Sequence, residues 1–140
     1  MSPKPFEYRF SIRLHDTDAA GVLFFAHLLR HAHDAYEAFM EQAGFGLVGL
    51  IAGAGPHLPL VHAEADFLAP LRHGEQVRIR LSLARLGGSS FILEYEFLGS
   101  EGNIRARART VHVALAPGGG KSVPLPDALR RRLELLETAD

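Results

Sequence analysis

The sequence predicts an α+β protein in which a curved, antiparallel five-stranded sheet wraps around one long helix, with a short helix near the C-terminal end. Two patterns predict this fold class. Apolar and polar residues alternate in five segments, as in strands that bury one face, and apolar residues recur at steps of three and four in one long segment, as in an amphipathic helix. The long helix is the expected cover for the apolar face of the sheet. For 140 residues we expect one domain, over residues 1–140.

The elements follow one another in a simple order. The first strand pattern runs from Phe6 to Leu14, and the helical stripe runs from about Phe25 to Ala43, with Gly44 just past the helix end. Residues 44–59 are rich in glycine and apolar residues, which indicates a loop. Short turns containing glycine separate the later strand patterns and indicate antiparallel hairpins. Those later patterns cover residues 60–68, 77–83, 91–97 and 104–115, and a leucine pattern over 125–136 predicts the last helix.

Composition excludes several classes of function. Lys and Arg total 15 against 16 for Asp and Glu, so no overall field favours nucleic acid or an anionic membrane, and we expect neither as a partner. The chain has no cysteine, which excludes disulfides, thiolate nucleophiles and cysteine-based zinc sites. The first residues lack the apolar segment of a signal peptide, and no apolar run approaches the ~18 residues of a membrane span. We therefore expect a cytoplasmic protein.

The segment HDTDAAGVLFF, residues 15–25, is the strongest candidate for a functional site. It places two carboxylates, Asp16 and Asp18, directly before a run of small and apolar residues. A solvated turn would carry more polar residues after Gly21, and a core element would not place two acids at its start. The first N–H groups of a helix lack intrahelical partners, so a carboxylate beside them is suited to attack on a carbonyl group whose oxygen becomes negative.

The stretch DTDAAGVLFFAHLLRHAHDAYEAFMEQAG, residues 16–44, resembles the signature of the hotdog-fold acyl-CoA thioesterases of the 4-hydroxybenzoyl-CoA thioesterase family. Within that family it is similar to enzymes that act on aromatic acyl-CoAs, including 1,4-dihydroxy-2-naphthoyl-CoA hydrolases. The resemblance implies a hotdog fold and hydrolysis of an acyl-CoA to the free acid and CoA. It also implies no cofactor beyond the CoA of the substrate, and a homodimer or homotetramer with CoA at the subunit interface.

The resemblance also implies roles for individual residues. Asp16, as the first aspartate of the D-x-D motif, is expected to act as nucleophile or as general base for water. Gly21 is expected to let the chain turn into the helix, and the backbone N–H groups around Leu23 to Phe25, with Leu23 and Phe24 foremost, to polarise the thioester carbonyl. We expect Asp18 to have a structural role, accepting N–H bonds at the helix entry.

Further candidates are less sharply defined by the sequence. His27 and His31 have the spacing of a two-histidine metal site, but without a third ligand polar surface positions are favoured and no metal is expected. Several arginines on the later strands look like a CoA phosphate site, although glutamates between them favour cross-strand ion pairs for most. The arginines are Arg78, Arg80, Arg105, Arg107 and Arg109, and the glutamates are Glu94 and Glu96. The residues expected to contact substrate are Gly21, Phe25, His27, His62, Glu64, Ser89 and Ser90, with a solvent-facing position as the alternative for His62 and Glu64.

Two other functions remain open from the residues. The protein could act on short or medium aliphatic acyl-CoA or on acyl carrier protein, or it could bind acyl-CoA without turnover. A negative charge next to a bound ligand is costly unless it is used, which favours an enzyme. The aromatic residues near the helix entry favour a flat, aromatic acyl group.

Overall fold

The computed structural model describes residues 5–53 and 55–139. The helices are α1 (Phe25–Gln42), α2 (Leu47–Ile51) and α3 (Asp127–Glu134), and a short 3-10 turn covers Leu14–Asp16. The strands are β1 (Phe6–Ser11), β2 (Leu60–Phe67), β3 (Gln76–Leu86), β4 (Ser90–Leu98) and β5 (Ile104–Val113). In the described ranges, no helix combines the length and the apolar character that crossing a membrane requires.

The five strands form one antiparallel sheet in the order β1-β3-β4-β5-β2, which confirms the predicted fold class. The strands β3, β4 and β5 are joined by short turns as hairpins. The strand β2 does not pair with β3, its successor in sequence, but lies at the opposite edge beside β5. Residues 68–75 therefore cross from one edge region of the sheet to the other.

The helix α1 packs its buried side against the sheet. Leu28, Ala32 and Met40 have no exposed surface, and they belong to the same core as Leu93 and Phe97 of β4. Burying a large apolar side chain such as Leu28 or Met40 contributes about 1.5–3 kcal/mol. This core fixes α1 relative to the sheet and thereby positions everything attached to the start of the helix.

Both ends of α1 match the prediction, but the burial of its first turn does not. Gly44 has a φ of 87° and follows the helix end, where the Phe45 N–H donates to the Met40 carbonyl over 2.8 Å. The stripe predicted to be buried includes Phe25 and Leu29, yet these side chains are 65% and 36% exposed. The observed buried face begins at Leu28, so the first turn of α1 presents apolar side chains at the surface.

Two short elements differ from the predicted pattern. The strand β1 ends at Ser11, and the 3-10 turn that follows leaves Leu14 72% exposed instead of in a strand. The predicted loop after Gly44 contains the helix α2. Five residues are too few to show a helical period, so the sequence pattern gives no signal for α2.

Candidate functional site

Residues 16–24 form a tight hairpin that leads into α1. Thr17 and Leu23 form an isolated antiparallel bridge, and the Asp18 N–H donates to the Val22 carbonyl over 3.0 Å. The turn is closed by a bond from the Gly21 N–H to the Asp18 carbonyl, also 3.0 Å, and Gly21 has a φ of 76°. Glycine adopts this left-handed conformation without steric cost, which explains the residue at this turn.

Asp16 lies at the base of the hairpin and is completely buried. Its Oδ1 accepts hydrogen bonds from Arg30 Nη2 over 2.7 Å and from His31 Nε2 over 2.9 Å, and its Oδ2 accepts one from the Arg13 N–H over 2.8 Å. Burial alone would raise the pKa of Asp16, but the bonds from Arg13 and His31 outweigh it and hold the pKa below its ordinary value. The side chain is an ionised, fully paired carboxylate.

This geometry does not fit the role of attacking carboxylate expected for Asp16. A nucleophile or general base has to reach the thioester carbon or a water molecule. The Asp16 side chain has no exposed surface, and a second subunit could only cover it further. The same contacts correct the interpretation of His31, which is a buried partner of Asp16 instead of a surface residue.

Asp18 is the accessible carboxylate of the hairpin. Its side chain is exposed, and its Oδ1 accepts hydrogen bonds from the N–H groups of Ala20 and Val22 over 2.8 and 3.4 Å. These bonds form the turn expected for Asp18. Within the described residues nothing donates to its Oδ2, so one oxygen of an oriented carboxylate faces solvent.

The structure also corrects the expected donors at the helix entry. The Leu23 N–H donates to the Leu71 carbonyl over 2.7 Å, and the Phe24 N–H donates to the Asp16 carbonyl over 2.9 Å. The N–H groups of Leu23 and Phe24 therefore already donate to backbone carbonyls and are not available to a substrate. The next two N–H groups, those of Phe25 and Ala26, have no intrahelical acceptor, and none of the described residues accepts from them. Of the expected donors Leu23 to Phe25, only the Phe25 N–H is open, and the Ala26 N–H extends the open pair one residue beyond the expected range.

An apolar strip on α1 leads from these donors to a cavity. Phe25 and Leu29 are exposed, and His33 and Tyr36 continue the same helical face. The cavity has a volume of about 540 Å³ and lies between α1, α2 and the start of β2. Its lining consists of His33, Tyr36, Leu47, Leu50, Ile51, residues 57–60 and Leu115. Most of these side chains are apolar, and the two histidines supply polar ring nitrogens.

One wall of the cavity rests on three stacked rings. The Tyr36 ring lies 4.3 Å from the His112 ring at 17°, and the His112 ring lies 4.9 Å from the Phe91 ring at 12°. Burial lowers the pKa of His112 to about 4, so this imidazole is neutral at neutral pH, while burial raises the pKa of Tyr36. The His112 Nε2 lies 3.0 Å from Thr110 Oγ1. The wall is therefore flat, rigid and uncharged.

The remaining predicted site residues are spread over the chain. His27 is half-buried, and its ring lies 5.8 Å from that of Phe24. His62 and Glu64 are exposed on the edge strand β2, with His62 Nε2 and Glu64 Oε2 3.9 Å apart. Ser89 and Ser90 follow β3, whereas Arg72, which bridges to the hairpin at Val22, precedes β3. Within this chain the two serines thus lie at the far end of the sheet from Asp18.

Ion pairs occupy the strand arginines, as predicted. Arg109 Nη2 lies 2.6 Å from Glu94 Oε2, and Arg107 pairs with Glu96 at 3.9 Å. The other pairs are Arg78 and Arg80 with Glu7, and Arg105 with Glu75. Across residues 5–53 and 55–139, no three or more histidine, aspartate or glutamate side chains are grouped so as to hold a metal ion.

The model of the thioesterase-like superfamily matches residues 12–133, a span that holds the hairpin, α1 and the whole of β2 to β5. The protein belongs to this thioesterase-like superfamily. It is 37% identical to a 1,4-dihydroxy-2-naphthoyl-CoA hydrolase of Rippkaea orientalis over 136 residues, which cover 96% of this chain and 99% of that protein.

Solved structures of thioesterases superpose on this superfamily member. A 1,4-dihydroxy-2-naphthoyl-CoA thioesterase from Synechocystis has a TM-score of 0.85 and 34% identity, covering 93% of this chain and 96% of its own. A gentisyl-coenzyme A thioesterase has a TM-score of 0.80 and 31% identity, covering 91% and 98%. These matches confirm the resemblance seen in residues 16–44 and, with the sheet order, the hotdog thioesterase fold.

Sequence reasoning missed the contacts of Arg30 and His31 with Asp16 in this thioesterase-like protein. His31 was interpreted as a polar surface residue and Arg30 was not singled out, yet Arg30 and His31 both bind Asp16, which lies 14 and 15 positions earlier. Local pattern rules reach only three or four positions along a helix, so they cannot register this pairing. The one available signal is that two acids precede a helix that carries adjacent cationic side chains.

Proposed function

We propose that this protein hydrolyses the thioester of an aromatic acyl-CoA to the free acid and CoA, without a cofactor beyond the CoA of the substrate. One observation carries the proposal: an exposed, oriented carboxylate and two open N–H donors lie in the same short segment, residues 18–26, at the start of an apolar strip. The relatives named above as naphthoyl-CoA and gentisyl-CoA thioesterases support the substrate class.

Asp18, not Asp16, is the reactive carboxylate in this proposal. Its free Oδ2 attacks the thioester carbon, and the carbonyl oxygen becomes negative while the Phe25 and Ala26 N–H groups donate to it. Each donor of this kind is worth a factor on the order of 10²–10³ in rate. The tetrahedral intermediate expels CoA as a thiolate, which needs no general acid, and water then hydrolyses the mixed anhydride on Asp18. In the alternative, Asp18 takes a proton from the attacking water directly.

The acyl group lies along the strip on α1, with its ring in the cavity of about 540 Å³. From Phe25 to His33 the helix rises about 12 Å, so the strip connects the open donors to the cavity. The stacked wall under Tyr36 suits a flat ring, and His33 and His57 offer polar atoms to ring hydroxyls. A second cavity of about 330 Å³ next to Val22 is lined by apolar residues and offers no such polar side chain.

The active form is a homodimer or homotetramer in which β2 meets a second copy. This strand is at the sheet edge, and Val61, Phe67 and the following Leu68 are 57%, 53% and 53% exposed. Exposed edge strands with apolar side chains tend to pair with another chain. A partner across β2 would bring the second subunit's His62 and Glu64 towards the strip on α1, which keeps both residues as candidates for substrate contact.

The experiment compares Asp18→Asn with Asp127→Asn, a matched change at an exposed aspartate on α3. With a hydroxylated benzoyl- or naphthoyl-CoA, kcat of Asp18→Asn should fall by a factor on the order of a hundred or more, while a non-hydrolysable analogue still binds. Asp127→Asn should keep wild-type turnover. Near-full turnover by Asp18→Asn would remove the proposed mechanism.

A substrate panel tests the acyl group. The kcat/KM values for hydroxylated benzoyl- and naphthoyl-CoA should exceed those for hexanoyl- and palmitoyl-CoA. Higher values for aliphatic substrates, or for an acyl carrier protein, would replace the proposed substrate class. Binding without turnover of every thioester would make the protein a ligand-binding member of its superfamily.

A further inference from the structure

The buried Asp16 makes contacts that extend beyond its own turn. Its Oδ1 is shared by Arg30 and His31, from the second turn of α1, and its Oδ2 is held by the Arg13 N–H, at the exit of β1. The His31 ring also stacks on Phe10 of β1, with the ring centroids 4.0 Å apart and the planes at 13°. One carboxylate therefore connects β1, the hairpin and α1.

The main chain of Asp16 is attached to the site itself. Its carbonyl accepts the Phe24 N–H over 2.9 Å, and Phe24 directly precedes the first open donor, that of Phe25. Asp18 follows two residues after Asp16 in the same hairpin. Any shift of Asp16 relative to α1 therefore moves the carboxylate at position 18 with respect to the open N–H groups.

We propose that Asp16, Arg30 and His31 form a positioning cluster, which fixes the hairpin on α1 so that Asp18 and the open helix donors meet the same thioester. This inference rests on the proposed function and deepens it. None of the three residues touches substrate. Their effect is on kcat, because misplacing reacting groups by about 1 Å costs a factor on the order of a hundred in rate.

The charge of the cluster is balanced within the fold. The Arg30 guanidinium is half-exposed and stays in contact with water, while it neutralises the Asp16 carboxylate, which has no contact with water. The other charged or titratable groups facing the cluster are His15 and Arg13 from the turn and Asp34 from α1, whose Oδ2 lies 3.7 Å from His31 Nδ1. The pKa of Asp16 is held below its ordinary value, so its carboxylate stays ionised throughout the neutral range.

Arg30 is the residue through which the cluster is best tested. Its contact with Asp16 is a single bond from one nitrogen, so a lysine ammonium can replace it as a point charge, whereas methionine keeps the length without the charge. Arg131→Met, at an exposed position on α3, is the matched control. Asp16→Asn and His31→Gln complete the series, although the loss of a buried charge at Asp16 could prevent folding.

Steady-state kinetics of the full chain on a hydroxylated naphthoyl-CoA decide the proposal. Arg30→Met should lower kcat by a factor on the order of ten to a hundred, while KM stays within about twofold of the wild-type value. Arg30→Lys should restore most of kcat. The control Arg131→Met should match the wild type. An unchanged kcat in Arg30→Met, a loss that appears in KM, or no rescue by lysine overturns the positioning role. Asp16→Asn should be slower than wild type but faster than Asp18→Asn, and the reverse order would make Asp16 the reactive group.

These outcomes separate the two proposals. If the wild type hydrolyses aromatic acyl-CoA and Asp18→Asn is inactive while Arg30→Met is fully active, only the positioning cluster is refuted. If the wild type hydrolyses no acyl-CoA, the proposed function fails and the cluster's role in it fails as well.

Discussion

The buried imidazole of His112 should make the protein lose stability as the solution becomes mildly acidic. Burial lowers its pKa from 6.5 to about 4, and the charge of the nearby His33 acts in the same direction. Between these two values the unfolded chain binds a proton at this side chain and the folded chain does not. Stability is therefore complete above pH 6.5 and falls as the pH is lowered towards 4.

The size of the effect follows from the two pKa values. On going from pH 7 to pH 5, the unfolded state gains about 2 kcal/mol from protonation of this one group, while the folded state gains almost nothing. Because His112 stacks between Tyr36 and Phe91, this loss of stability would act directly on the wall of the cavity.

The assay is urea unfolding of the wild type and of His112→Phe at pH 7, 6 and 5, followed by far-ultraviolet circular dichroism. Phenylalanine keeps a ring in the stack but cannot take up a proton, and Thr110 keeps its bond to the Tyr95 hydroxyl at 2.8 Å. The other seven of the eight histidines act equally in both proteins. The free energy of unfolding should fall by about 2 kcal/mol less in His112→Phe than in the wild type. Equal pH slopes for the two proteins would refute the reasoning.

Two further predictions concern the turn and the edge strand. Gly21→Ala should lower the free energy of unfolding by about 1–2 kcal/mol in a urea titration, because alanine is strained at a φ of 76°. An added Cβ meets nothing within 4 Å at Gly21 or at Gly88, so steric contact does not distinguish the two positions. Gly88 has no positive φ, and Gly88→Ala should therefore be nearly neutral in the same titration. The double variant Val61→Lys and Phe67→Lys places two charges on the exposed edge strand β2, so light scattering should show a monomer. The control Ala128→Lys on α3 should keep the wild-type mass. An unchanged mass in the double variant would exclude the β2 interface.

Sequence periodicity predicted the elements well because each is determined largely by its own residues. The helix α1 begins at Phe25 and the left-handed Gly44 follows its end, as the stripe and the glycine indicate. The place of β2 beside β5 could not be obtained in this way, since alternation fixes which face is buried but not which strand is the neighbour.

The sequence singles out the segment that holds the candidate site, but it does not distinguish the residues within that segment. Asp16 and Asp18 are equivalent in a local pattern, and only the tertiary contacts with Arg30 and His31 bury the first of them. The N–H groups open at the helix entry depend in the same way on a distant acceptor, the Leu71 carbonyl, which engages Leu23. Burial and hydrogen-bond partners of this kind are properties of the assembled fold.

The sheet order also governs when the protein can fold during synthesis. The edge strand β1 pairs only with β3, and β2 pairs only with β5, which ends at Val113. In a nascent chain β1 can pair once β3 has emerged, but β2 stays unpaired until β5 has left the ribosome as well. Such distant pairings slow folding and expose apolar edges in the meantime. The apolar residues of β2 would thus be more prone to aggregation in the nascent chain than in the mature protein. Chaperone dependence should be greatest before β5 emerges.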